Sequence, residues 1–538
     1  MATSYKQQKP TGKYNSIIIG SGMSGIALAA LLAKEGKKCL VLERHYTPGG
    51  FTHVFKRRNY EWDVGIHYIG EVHKPNSVLR QMFDYVSENS LQWAEMDANY
   101  DRIFFGKEAY NLVAGKEAFI NTLVAHFPNE RPAIETYYNT ITTAFRQAKN
   151  FFVEKAMPPL LSRFVGNKLR KKTLEYASLT TREVLEKITQ NQKLIGVLTG
   201  QYGDYGLPPA QSSFLMHSAV VKHYMRGAAF PVGGSAEIFN TIEPIINKTG
   251  GEVFTNAEVK KIIVKNGKAV GVQMADGEQL LADNIISSAG ADITFNQFLK
   301  DENATQKFKK ATDKISASAC HICLYVGLNT DNEVLQLPKT NYWIYPENGY
   351  NHDKTVADFL EDPDNAPLPV VYMSFPAAKD PTWPQRYPNR STVELITITN
   401  YNWFKNWENT KWHKRGENYN NFKEKLAQRL LAYMYEYAPQ TKPYLDYYEL
   451  STPLSTKSFV NYSEGEIYGL QHTPERFNDK TLRAITPIKN FYLTGQDIAT
   501  AGIGGALNAA VLTASAMLKK NMLNKILKQT KANIPETV

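Results

Sequence analysis

A chain of 538 residues, 43% hydrophobic and 21% charged, can bury a large core and exceeds the usual size of one domain. Its three cysteines exclude a disulfide-stapled scaffold and point to a reducing, cytoplasmic setting. The net charge of +10 favours anionic surfaces, but the basic residues are dispersed and form no nucleic-acid-binding motif, so nucleic acid is not an expected partner.

The first residues are polar, without the apolar core of a signal peptide, and no run approaches the ~20 apolar residues that span a bilayer. Three isoleucines, Ile17, Ile18 and Ile19, then feed into Gly20-Ser21-Gly22-Met23-Ser24-Gly25. An alanine- and leucine-rich helical stretch follows, Gly36 closes it, and the apolar strand Cys39-Leu40-Val41-Leu42 ends on Glu43. This is the dinucleotide fingerprint in its strand–turn–helix–strand context. Gly20 permits the turn, Gly22 admits a pyrophosphate close to the backbone, and Gly25 lets helix and strand pack. Met23 and Ser24 open the helix, whose N-terminus presents free N–H groups to phosphate. Glu43 is placed to accept hydrogen bonds from an adenosine ribose.

After Glu43 and Arg44 comes the pair Gly49-Gly50 with Phe51, which lets the chain double back against the diphosphate of an extended FAD. Residues 62–68, with Gly65, Ile66 and His67, are expected to form a short strand beneath the isoalloxazine. The stretch 76–225 reads as mostly helical. Beyond a glycine-marked turn at 230–238 come strands near 251–254, 257–264 and 269–274, with Val259 assigned to the cofactor wall. Asn266-Gly267 predicts a hairpin between the last two, and a strand from 284 returns to the nucleotide-binding sheet. Cys320-His321-Ile322-Cys323 lies in a strand pattern, so its thiols point to opposite faces and share neither a metal nor a disulfide; no metal site is expected. Near the C-terminus, residues 490–497 and then Gly502-Ile503-Gly504-Gly505 repeat the strand, glycine-loop and helix pattern. Gly495 and Asp497 are expected at the ribityl chain. A helix from about Gly504, with Gly505, aims its positive end at the N1–C2=O edge and favours reduced flavin.

The expected fold is α/β: a Rossmann-type FAD-binding domain from 1–75, 226–300 and 471–538, interleaved with a mixed α+β substrate domain from 76–225 and 301–470. The substrate cavity lies between them, and the 31 tyrosines and 25 phenylalanines suit an apolar one. Two basic, apolar segments, 158–172 and 517–528, have the character of interfacial anchors for peripheral membrane contact.

The flavin motifs resemble those of the phytoene-desaturase and carotenoid-isomerase flavoproteins. Residues 482–497, residues 375–392, His223-Tyr224-Met225 leading to Gly233-Gly234-Ser235, and residues 64–70 resemble the retinol-saturase family more specifically. The resemblance implies saturation of one C=C bond of a polyene or other apolar lipid by a proton and a flavin hydride. A redox-neutral isomerase or a desaturase is the alternative on the same fold. Candidate proton donors are His67, Tyr68, Tyr202, His217, His223, Tyr224 and Tyr468, of which His67, Tyr68 and Tyr468 are favoured. There is no second G-x-G-x-x-G unit, so the electrons are expected from transiently bound NAD(P)H or from an electron-donor protein.

Overall fold

The computed structural model describes residues 2–531; Met1 and 532–538, the ends of the expected cofactor domain, lie outside the described residues. The strand Tyr14–Ile19 is the centre of an eight-stranded sheet. It pairs in parallel with Cys39–Leu42 on one side and with Gln279–Ser287 on the other. Glu252–Thr255 and Thr3–Ser4 extend the first side, also in parallel. The strand Gln279–Ser287 is shared between two systems. Its first half pairs antiparallel with Lys268–Met274, and Ile285, Ile286 and Ser287 pair with both Ile17–Ile19 and Phe491–Leu493. The hairpin at Asn266-Gly267 forms as expected, with both residues at positive φ between Val259–Lys265 and Lys268–Met274.

Every residue of the helix Met23–Ala33 is buried. Its small side chains let it pack on the first sheet while Gly502–Leu518 and Ala236–Asn247 close over it. A Cβ on Gly25 would collide with the carbonyl oxygen of Gly20, which is why helix and turn can approach so closely only through glycine.

A second, seven-stranded sheet runs in the order Leu445–Ser451, Cys320–Leu328, Ser391–Thr399, Val371–Ser374, Asn341–Tyr345, Asn99–Phe105 and Glu108–Val113. Its last two strands correct the helical reading of 76–225. Alternating buried positions at Asp101, Ile103 and Phe105 form one face of a strand within an otherwise helical region. The remaining helices of that region, chiefly Arg131–Ala156, Pro159–Ala177 and Phe214–Tyr224, pack as a layer beside the cavity.

Residues 62–68 do not form one strand. Tyr60–Asp63 pairs with Val54–Arg57 and then leaves the ladder, because Asp63 N donates to Glu394 Oε1 and Asp63 Oδ1 accepts from Ser235 N. Pairing resumes only at Ile69–Gly70. The C-terminal segment is likewise two helices. Lys519 turns left-handed after Gly502–Leu518, and Met522–Thr530 restarts behind the Asn521 cap. No helix among the described residues is long and apolar enough to cross a membrane.

Candidate active site

One cavity of about 1240 Å³ runs from the N-terminal glycine loop, past an aromatic chamber, to the surface. Gly20, Gly22, Met23, Ser24, Glu43, Arg44, Gly50, Phe51, Gly65, Ile66, His67, Tyr68, Val259, Tyr468, Gly495, Gly504 and Gly505 all line it. Three predicted residues do not. Gly25 is the packing contact described above, and Gly49, at φ +111°, donates its N–H to Ser21 Oγ and ties the two loops together. Asp497 corrects the ribityl expectation: its carboxylate is buried behind the loop and accepts from Leu470 N at 2.9 Å and Ala291 N at 2.7 Å.

The nucleotide end fits FAD on its own geometry. A Cβ built on Gly22 meets nothing, so the loop is open where a phosphate would approach, and the helix behind it has no side-chain cap on its first amides. Glu43 Oε2 accepts from both Ser21 N and Ser21 Oγ, while Oε1 accepts only from His45 N, which leaves a lone pair on Oε1 for a ligand. Ser24 Oγ and Thr494 Oγ1, 2.6 Å apart, join the N-terminal motif to the C-terminal strand. The helix Gly502–Leu518 also begins without a side-chain cap, two residues earlier than expected, so Gly504 and Gly505 lie in its first turn at the wall.

Deeper in, Tyr68 stacks on Tyr224 at 4.0 Å, and Tyr372 lies 4.6 Å from Trp343 and 5.3 Å from His67 between ring centroids. His67 Nδ1 approaches Glu394 Oε2 to 2.8 Å. Burial drives the imidazole down to about 3 and the carboxyl up to about 8, so the contact joins a neutral ring to a protonated acid. A neutral imidazole is a poor proton donor at physiological pH, which argues against His67 as the acid. Lys379, lowered to about 7 by burial, donates to Ser374 Oγ and to the carbonyl of His67, fixing that segment. Tyr68 OH lies between Asp101 and Asp204, and Tyr468 OH donates to the carbonyl of Gly203.

The other candidates divide. His223 and Tyr224 reach the cavity, and His223 Nε2 accepts from Gly70 N. His217 is enclosed between Tyr137 and Tyr205, and Tyr202 packs on Tyr345 and His352, so both are core residues away from the wall. Asp204, Trp343, Tyr372 and Gln496 line the cavity without a sequence signal. Cys320 and Cys323 are buried and free in their strand.

The sheet, the two glycine loops and the joined cavity define an FAD-dependent oxidoreductase. The family model of flavin containing amine oxidoreductases matches residues 23–518. The chain is 35% identical to the all-trans-retinol 13,14-reductase of Danio rerio, over 94% of this chain and 86% of that protein. With the Homo sapiens all-trans-retinol 13,14-reductase the identity is 33%, over 96% and 87%. A chloroplastic prolycopene isomerase 1 of an Oncidium hybrid cultivar stands at 24%, over 94% and 85%. Among solved structures, an oxidoreductase from Methanosarcina mazei superposes with a TM-score of 0.63 at 16% identity, covering 94% of this chain and 100% of that one. Cyclohexylamine oxidase from Brevibacterium oxydans gives 0.60 at 13%, over 97% and 100%; both attest the fold. The chain belongs to the flavin containing amine oxidoreductase family and, within it, to the all-trans-retinol 13,14-reductases.

Proposed function

We propose that the protein saturates one C=C bond of an apolar polyene of the retinoid or carotenoid class. The observation that carries this is the continuity of the cavity: the nucleotide loops open into an aromatic chamber, with no break before the surface. Reduced FAD, when bound, supplies the hydride. Gly22 and Met23 would hold the pyrophosphate through backbone N–H groups, Gly20 would shape the turn with its own N–H given to Leu42 O, and Glu43 would take the adenosine ribose. The amides that open Gly502–Leu518, uncapped at the cavity wall, would hold the flavin ring and stabilise its reduced form. The chamber strips water from the polyene and holds it in place, a contribution of about 7–11 kcal/mol in the best-oriented systems. Tyr68 carries the proton path, with Tyr468 and His67 positioning its surroundings.

The substrate enters from a lipid surface. Phe145, Lys149, Val153, Pro158, Lys519 and Leu523 ring the outer end of the cavity. Beside it, Leu160 is 67% and Phe164 79% exposed, among the exposed bases Arg163, Lys168, Lys171 and Lys172. Arg170, in the same segment, is buried against Glu154 and takes no part. Both segments read as interfacial anchors meet here, an apolar tip in a cationic rim.

The test is anaerobic incubation of photoreduced, FAD-loaded protein with all-trans-retinol and with longer carotenoids. A product heavier by one H2, with return of oxidised-flavin absorbance, is expected. An unchanged mass with altered retention assigns the isomerase chemistry instead. Supplying NADPH or a reduced flavodoxin in place of light then identifies the donor.

A further inference from the structure

The reaction needs an acid inside a dry chamber, and the neutral imidazole of His67 is a poor one. Tyr68 OH lies 2.9 Å from Asp101 Oδ2 and 3.1 Å from Asp204 Oδ2. A phenol has one proton and cannot donate to both carboxylates. Asp101 is also served by Gln201 Nε2 at 2.7 Å and Asn341 Nδ2 at 3.1 Å, so three donors hold its negative charge. Asp204 has no side-chain partner among the described residues except Tyr68. Both contacts are satisfied when one carboxyl carries a proton and donates it to the Tyr68 oxygen while Tyr68 donates to the other. Because Gln201 and Asn341 already donate to Asp101, the negative charge belongs there, the proton on Asp204, and Tyr68 donates to Asp101. Burial first, and then the charge of Asp101, push the Asp204 carboxyl well above its ordinary range, in agreement with the proton count. Asp204 ends the turn Tyr202–Asp204 at the cavity wall, and Tyr468 OH fixes that turn through Gly203 O at 3.2 Å.

We propose that Asp204 is the acid that protonates the substrate, and that Tyr68 and Asp101 form the path that reloads it. The assignment rests on the polyene-reductase reading above. In the step, the Asp204 O–H bond breaks and a C–H bond forms at one alkene carbon; the other carbon takes the hydride that reduced FAD supplies. A solvent proton reaching Asp101 then passes to Tyr68 as the phenol proton passes to Asp204, which restores the starting state. The positive charge that develops on the polyene faces the electron-rich rings of Tyr68, Tyr224, Trp343 and Tyr372.

The test compares wild type, Asp204→Asn and Tyr68→Phe by three readouts: FAD content, retinol binding to the unreduced protein by fluorescence quenching, and the infrared C=O stretch of protonated carboxyls at neutral pH. Asp204→Asn is expected to retain flavin and bind retinol within about twofold, lose one protonated-carboxyl band, and reduce the substrate ~100-fold or more slowly. Tyr68→Phe is expected to shift that band and to slow repeated turnover more than the first. Asp204→Asn with unimpaired reduction, or a wild-type spectrum with no protonated-carboxyl band sensitive to Tyr68→Phe, overturns the assignment. The second result does so even if Asp204→Asn fails to fold. Failure of the wild type to reduce any polyene instead removes the parent reading, and this one with it.

Discussion

Replacing Leu160 and Phe164 together by aspartate should weaken membrane binding roughly a hundredfold while leaving the fold intact. Both side chains project from Pro159–Ala177 with 67% and 79% of their surfaces free, so they contribute little to the core. A phenylalanine has roughly 200 Å² to bury, which leaves on the order of 150 Å² on Phe164. At ~25 cal/mol per Å², complete insertion would give about 4 kcal/mol, and Leu160 adds about 1–2. Insertion only to the headgroup boundary halves the sum to about 3 kcal/mol, roughly a hundredfold in partitioning. The introduced charges oppose anionic lipid further, and the retained bases supply about 1 kcal/mol each near such a surface. Co-sedimentation with phosphatidylserine-containing and neutral vesicles measures this. Leu281→Asp, at an exposed apolar residue outside the cavity wall, is the control and should bind as wild type does. If the double variant partitions like wild type, the tip is an ordinary solvated helix face and the entry route lies elsewhere.

Gly25→Ala should expel FAD and lower Tm by several degrees, because the new methyl meets the Gly20 carbonyl and pushes the phosphate turn off its helix; flavin absorbance per protein and a melting curve report both. Glu394, raised to about 8 by burial, binds a proton in the fold that the unfolded chain releases near 4.5, so its contribution is intact at acid pH and lost as pH rises. Lys379, lowered to about 7, is charged in both states below that pH and adds no slope there. Glu394→Gln should therefore lose less stability than wild type as pH rises from 5 to 7, a difference on the order of a few kcal/mol that melting curves of the two proteins report. Tyr468→Phe removes the hydroxyl that holds Gly203 and should slow reduction about tenfold at most, with FAD content unchanged. A loss equal to that of Asp204→Asn would give Tyr468 a direct chemical role.

The parts of this molecule written in contiguous sequence were the legible ones. The run from Tyr14 to Glu43 forms its turn from local glycines and its strands from local isoleucines and valine, so its geometry follows from neighbours. The loop before Gly502–Leu518 is similar, although Asp497 looks available to a ligand until the amides of Leu470 and Ala291, distant in sequence, are seen to claim it. The proton network escaped because Tyr68, Asp101, Asp204 and Asn341 come from four separate segments that only the second sheet and the adjoining turn bring together. Asn99–Phe105 was hidden for a related reason: a seven-residue alternation is weak beside the long helices that follow it.

The sharing of Gln279–Ser287 between two pairing systems also sets the order in which the chain can be finished. Ile285, Ile286 and Ser287 wait for Phe491–Leu493, and the buried helix Met23–Ala33 waits for Gly502–Leu518. During synthesis the nucleotide-binding half therefore leaves the ribosome with an open strand edge and an uncovered apolar helix until nearly the last residues appear. Such a chain assembles late and slowly and is exposed to aggregation throughout. A nonsense mutation anywhere before residue 491 forfeits the cofactor fold as a whole, and recombinant yield will depend on chaperone capacity and growth temperature more than on the stability of the finished protein.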